Sequence, residues 1–268
     1  MKKPMDLQNR PIGVFDSGLG GLTTVKEIFK RLPNENIVYF GDTARVPYGS
    51  KSKETITQFS IENTQFLLKF NAKLIVVACN TSSSLSLNSL KAHFKVPIIG
   101  VIAPGVKKAM SVTKNNRIGV IGTRATIASK SYEKEIKKRN SVTKCLSRSC
   151  PLFVPLVEED WIGDEVTYTV ARRYLQPLMK YNIDTLILGC THYPLLKGVI
   201  KRVVGKKVNL VDSAEEVALD AKRLLEARRL LSKNKNARHK FFVSDKPMNF
   251  KAIGERFLGR KISFIKKV

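Results

Sequence analysis

LILGCTHYPLL, from Leu186 to Leu196, is an apolar run that stops at Gly189-Cys190 and is followed at once by Thr191, His192, Tyr193 and Pro194. A short apolar run bounded by Gly and Pro reads as a strand buried on both faces. The same design occurs earlier in the chain. LIVVACNTSSS, from Leu74, places Cys79 where the later stretch has Cys190, 111 residues on. A second pair, IGVFDSG from Ile12 and IGVIGTR from Ile118, lies 106 residues apart. Two matched pairs at nearly one spacing predict two similar halves. If the halves face each other, both strand ends meet in one cleft, and each brings one cysteine to it.

Around these anchors, short apolar strands alternate with amphipathic helices. Strands are expected at Ile12–Phe15, Ile37–Phe40, Leu74–Val77, Pro97–Val101, Ile118–Ile121, Leu152–Val154, Thr185–Leu188, Asn209–Val211 and Lys240–Val243. Helices are expected at Gly21–Leu32, Lys53–Phe70, Ser129–Lys138, Gly163–Tyr181, Leu195–Val204, Ala214–Leu231 and Met248–Leu258. Such alternation specifies α/β architecture, with parallel sheets covered by helices and ligands bound beyond the carboxyl ends of the strands. The expected division is a discontinuous first domain, 1–101 plus 213–268, and a second domain, 102–212.

Composition narrows the function classes. The chain has 268 residues and is 43% apolar, which is too high for disorder. No apolar run approaches the roughly 20 residues of a membrane span. MKKPMDLQNRP lacks the apolar stretch of a signal peptide, so a cytoplasmic location is expected. Four cysteines without a C-x-x-C pair exclude a disulfide framework and argue against a structural zinc site. The net charge of +26 is large, and residues 222–268 alone carry 15 basic and 3 acidic side chains. That charge admits a nucleic-acid or anionic-surface partner. The lysines are scattered, however, and neither a helix-turn-helix signature nor a row of base-stacking aromatics accompanies them.

A cysteine at a strand end, next to a helix start, sits where backbone N–H groups favour the thiolate. One such thiol suggests a nucleophile. Two thiols from pseudo-symmetric halves suggest that one takes a proton from a carbon centre while the other supplies a proton to the opposite face. Each positioned acid or base is worth roughly 10²–10⁴ in rate. The remaining barrier must be lowered by donors aimed at developing charge. Asn80, Thr81, Thr191 and the backbone around Gly18, Gly20 and Gly21 are suitable. Asp16 and His192 could each assist one thiol. Plainer readings compete: Asp16 and Ser17 could cap the following helix, and Cys145 and Cys150 read as small buried hydrophobes. DSGLGG lacks the G-x-G-x-x-G spacing of a dinucleotide site. A cysteine hydrolase built on Cys190 and His192 also stays open, although two residues of separation do not make their side chains face each other.

In chain order, IGVFDSGLGG, GDTARVPYG, ACNTS, GVIGTRATI, CPLFVPLVEE, GCTHYPLL and FFVSDKPMNF…FLG run from Ile12 to Gly259. Together they resemble the motifs of the glutamate racemases, in the cofactor-independent aspartate/glutamate racemase family. The resemblance implies two flavodoxin-like α/β domains related by a pseudo-twofold axis, with the active site in the cleft between them. It implies racemisation of L- and D-glutamate without cofactor or metal, supplying D-glutamate for peptidoglycan. Cys79 and Cys190 are implied as the acid/base thiols, Cys79 acting on D-glutamate and Cys190 on L-glutamate. Asp16 would assist Cys79, and His192 would assist Cys190. Asp16, Ser17, Tyr48, Gly49, Asn80, Thr81, Thr191 and His192 match substrate-contacting positions, and Thr123 and Glu158 match positions near the cleft. Aspartate racemases share the two-cysteine design, but the His of CTHYP and the VPYG segment favour glutamate. One departure is the run Ser82-Ser83-Ser84 after ACNT, where small apolar residues are common. A homodimer is the expected assembly.

Overall fold

The computed structural model describes residues 7–245, 250–262 and 265–268. Two sheets form the framework, and every strand pair within them is parallel. The first contains β1 (Ile12–Asp16), β2 (Ile37–Gly41), β3 (Leu74–Val77), β4 (Ile98–Gly100), β9 (His239–Val243) and β10 (Lys266–Lys267). The second contains β5 (Arg117–Gly122), β6 (Lys144–Ser149), β7 (Thr185–Gly189) and β8 (Asn209–Val211).

The strand orders carry the internal repeat. The first sheet runs β10-β9-β2-β1-β3-β4, and the second runs β6-β5-β7-β8. With β1 matched to β5 and β3 to β7, the second order is that of the four strands β2-β1-β3-β4. The paired motifs therefore occupy equivalent strands. In each half they are neighbours across the point where the chain reverses its direction of winding, which is where α/β sheets bind ligands.

Burial explains the strand sequences. Every residue of β1, β2, β3 and β7 is buried. Helices α1 (Leu22–Arg31), α2 (Lys53–Leu68), α3 (Asn80–Leu85), α4 (Leu87–His93), α5 (Ile102–Val112), α6 (Arg124–Ala128) and α7 (Ser131–Arg139) precede α8 (Phe153–Glu158), α9 (Glu165–Met179), α10 (Lys197–Val204), α11 (Ala214–Ala227) and α12 (Phe250–Leu258). Helix α1 buries Leu22, Val25 and Ile28, a stripe at helical spacing. Ser52 caps α2 by accepting from the Thr55 N–H at 3.2 Å, and Asp164 caps α9 by accepting from the Val166 N–H at 2.6 Å. Helix α11 packs on α1 and on α5, and so bridges the two halves.

One strand expectation fails. Leu152–Val154 is not a strand: Phe153 opens α8, and Phe153, Leu156 and Val157 form its buried stripe. The strand in this region is β6, whose sequence KCLSRS has no residue fully buried. It lies at the edge of its sheet, so burial does not demand an apolar run. Helix α5 was not anticipated, because IAPGVKKAMSV carries Pro104 and Gly105 in its first turn. The expected start of the last helix at Met248 falls outside the described residues. Among the described residues, no helix is long and apolar enough to cross a membrane.

Candidate active site

Four strand ends converge. Asp16 ends β1 and Ser17 follows it, Cys79 follows β3, Thr123 follows β5 and Cys190 follows β7. Cys79 is the N-cap of α3, so Asn80 and Thr81 occupy the first helical positions. Thr123 caps α6 by accepting from the Thr126 N–H at 3.2 Å. After Cys190 the chain turns through Thr191 and His192 into a 3₁₀ segment, Tyr193–Leu196.

These groups enclose a cavity of about 340 Å³, within the range of a small-molecule site. Cys79 and Cys190 both line it. So do Ser17, Tyr48, Gly49, Asn80, Thr81, Thr123, Glu158, Thr191 and His192. Asp16 does not. It is fully buried behind the wall, where its Oδ2 accepts from the Gly18 N–H at 3.0 Å and its Oδ1 from the Thr191 hydroxyl at 3.5 Å. Cys145 and Cys150 are not in the lining.

The two halves touch closely around the cavity. The Thr81 and Thr123 hydroxyls are 3.0 Å apart, and the Tyr132 hydroxyl donates to Asn80 Oδ1 at 2.6 Å. A Cβ on Gly20 would stand 2.1 Å from Thr191 Oγ1, and one on Gly49 would stand 2.6 Å from Thr123 Cβ. Glycine is therefore required at both positions for the halves to meet. Arg256 of α12 pairs with both carboxylate oxygens of Asp160.

The two thiols have different surroundings. The Cys79 thiol donates to Ser17 Oγ at 3.6 Å. Burial, and then the charge of Asp16, push its pKa up to about 11, against the Ser82 N–H and the Ser17 hydroxyl. Cys190 Sγ instead lies 3.9 Å from His192 Nδ1, and His192 Nε2 lies 3.0 Å from Glu158 Oε1. Burial alone draws the imidazole pKa down, but hydrogen bonds to Cys190 and Glu158 override it and raise it to about 10. The arrangement favours the imidazolium form of His192, which is held edge-on against Phe257. The spacing of Cys190 and His192, uninformative as sequence, does bring their side chains together. Burial also raises the pKa of Asp16, partly offset by His192.

Tyr48 lines the cavity. Its hydroxyl is engaged by the Asp42 carboxylate and by Asn63 Nδ2, the latter at 3.1 Å. Sequence reasoning missed Val46, Pro47, Ser50, Arg124, Pro151, Val154 and Pro155 in the lining. Arg124 had a signal. In GTRATI it follows the helix-capping Thr123 directly, which places it at the cavity rim.

Comparison with known proteins agrees with this geometry. The family described as Asp/Glu/Hydantoin racemase matches residues 12–221. A glutamate racemase of Geobacter metallireducens is 50% identical over 97% of this chain and 96% of its own. Among solved structures, glutamate racemase isoform RacE1 from Bacillus anthracis aligns with a TM-score of 0.94 at 42% identity, covering 97% of this chain and 98% of that one. The Francisella tularensis glutamate racemase in complex with D-glutamate aligns with a TM-score of 0.92 at 40% identity, covering 97% and 98%. On matches that run nearly end to end, the chain belongs to the Asp/Glu/Hydantoin racemase family, and within it to the glutamate racemases.

Proposed function

We propose that the protein interconverts L- and D-glutamate by a two-thiol, cofactor-independent proton exchange at Cα, and that the D-glutamate produced supplies peptidoglycan synthesis. The observation that carries this reading is the placement of Cys79 and Cys190. They stand at equivalent strand ends of two sheets with matching order, and both line one cavity. The working lobes in this reading are residues 1–101 with 213–268, and residues 102–212.

For L-glutamate, the Cys190 thiolate removes the Cα proton. The His192 imidazolium offsets the sulfur's charge while it is ionised. The electron pair left on Cα delocalises into the α-carboxylate, and the Cys79 thiol delivers its own proton to the opposite face. Cys190 ends protonated and Cys79 ends as thiolate, ready for D-glutamate, so the reverse reaction runs from that state. Exchange of protons with solvent resets the pair. The high pKa of the Cys79 thiol suits it to carry the proton to be delivered. Asn80, Thr81, Thr123 and Thr191, with the backbone N–H groups near Gly49, supply donors to the two substrate carboxylates. Glutamate is favoured over aspartate by the near-full-length similarity to glutamate racemases, one of them solved with D-glutamate, together with the CTHYP and VPYG segments.

The test is polarimetric. Reduced, folded protein should erase the optical rotation of L-glutamate and of D-glutamate, and leave L-aspartate unchanged. Unchanged rotation of both glutamate enantiomers would refute the reading.

A further inference from the structure

Three serines follow Thr81 in the first turn and a half of α3, and their hydroxyls differ in a way the reaction can use. The Ser83 hydroxyl donates to Val77 O at 2.9 Å and accepts from the Val101 N–H at 3.2 Å. Its place in the fold is fully explained. The Ser82 hydroxyl is fully buried and makes no hydrogen bond of normal geometry, although it lies close enough to Cys79 to act on the thiol. An unpaired buried hydroxyl costs about 1–3 kcal/mol, so a serine kept at such a position calls for a partner at some stage of the working cycle.

Helix geometry supplies that partner. Cys79 is the N-cap of α3, which makes Ser82 the third helical residue. The N-cap side chain and the third residue face each other across the first turn, the relationship exploited in a capping box. Here the N-cap side chain is the thiol. The other groups that act electrostatically with Cys79 have their own bonds. Asp16 opposes a second negative charge. The Tyr39 hydroxyl donates to Gly18 O at 2.7 Å, and the Tyr48 hydroxyl is bound to Asp42. Ser17 Oγ accepts from the protonated thiol and can turn its own hydrogen to the thiolate, which makes it one donor and leaves room for a second.

We propose that Ser82 is a positioning residue for the first-lobe thiol, its hydroxyl donating a hydrogen bond to the Cys79 sulfur whenever that sulfur is ionised. No proton is transferred from the serine; its O–H rotates towards the charge and stays intact. The direction in which Ser82 acts on the thiol pKa, downward against burial and Asp16, agrees with that role. The assignment rests on the reading of Cys79 as one of the two acid/base thiols.

The test separates the two claims. Alkylation of each cysteine by iodoacetamide, followed peptide by peptide by mass spectrometry across the neutral and alkaline range, reports Cys79 without requiring turnover. Ser82→Ala should slow Cys79 alkylation roughly tenfold at every pH below the thiol's pKa, the loss of one charge-assisted hydrogen bond. Cys190 alkylation in the same sample should be unaffected. Ser84→Ala removes a second unpartnered hydroxyl, two residues on and therefore on another side of the helix. It should leave Cys79 unchanged. An unaltered Cys79 rate in Ser82→Ala, or an equal fall at Cys190, overturns the role of Ser82. Racemisation by Cys79→Ser would instead overturn the catalytic reading of Cys79.

Discussion

His192 bridges Cys190 and Glu158, with Nδ1 3.9 Å from the sulfur and Nε2 3.0 Å from the carboxylate. The imidazole pKa is raised from 6.5 to about 10, with Cys190 and Glu158 as the raising partners. Glu158→Gln removes one of the two. The alkaline limb of the L-to-D rate should then move to lower pH, which a pH profile of kcat will show. Stability follows the same sign. A group whose pKa is raised on folding contributes fully below its unfolded value and loses that contribution as pH climbs through its folded value. The Tm advantage of the parent over Glu158→Gln should therefore be complete below about pH 6.5 and decline towards about pH 10. Glu158 is 40% exposed, so the difference will be small.

The two thiols are not interchangeable, and single replacements should show it. Cys79→Ser and Cys190→Ser should each lower kcat in both directions by roughly 10²–10⁴, since racemisation uses one base and one acid at every turnover. Circular dichroism of the folded variants should match the parent. Normal turnover by either variant would contradict the paired mechanism.

The close approach of the halves predicts a sharp contrast between two glycines. A Cβ at Gly20 would meet Thr191 Oγ1 at 2.1 Å and His192 Nδ1 at 2.8 Å, whereas nothing lies within 4 Å of a Cβ at Gly198. Gly20→Ala should cost about 1–3 kcal/mol as overpacking, and it should lower activity further by wedging β1 away from Thr191 and His192. Gly198→Ala, in α10, should be neutral or stabilising by up to about 1 kcal/mol. Urea unfolding alongside initial rates will separate them.

Tyr132 fixes an amide. Its hydroxyl donates to Asn80 Oδ1, so the Asn80 NH₂ is the end left to donate elsewhere. Tyr132→Phe leaves that oxygen unpaired in a buried position, a cost of about 1–3 kcal/mol, and lets the amide turn over. KM for glutamate should rise more than kcat falls.

The repeat was legible because its strands are buried on both faces. LIVV and TLILG could be read as continuous apolar runs, and their cysteines marked the ends. Strand β6 was not legible: KCLSRS lies at a sheet edge and shows no period. The apolar PLFVPLV beside it drew the strand assignment, although its burial repeats at helical spacing. Helix α3 was legible only from Cys79 outward, since Asn and Ser are poor helix formers and tertiary packing holds them. In the site, Asp16 was expected to touch substrate, but it stands behind the wall and reaches the cavity through Thr191. No spacing rule separates a carboxylate that lines a pocket from one buried just beneath it. The rim formed by Val46, Pro47, Val154 and Pro155 depends on how a loop of one half meets helix α8 of the other, which local sequence does not encode.

Isotope placement at early times tests the two-thiol account most directly. L-glutamate should be incubated with the protein in deuterium oxide, the reaction stopped after a few per cent of conversion, and both enantiomers analysed by mass. The account predicts a D-glutamate product fully deuterated at Cα, because its hydrogen comes from the solvent-exchanged sulfur on the far side, while recovered L-glutamate remains protiated. Product retaining the original hydrogen, or deuterium entering recovered L-glutamate as fast as product forms, would mean that one group serves both faces.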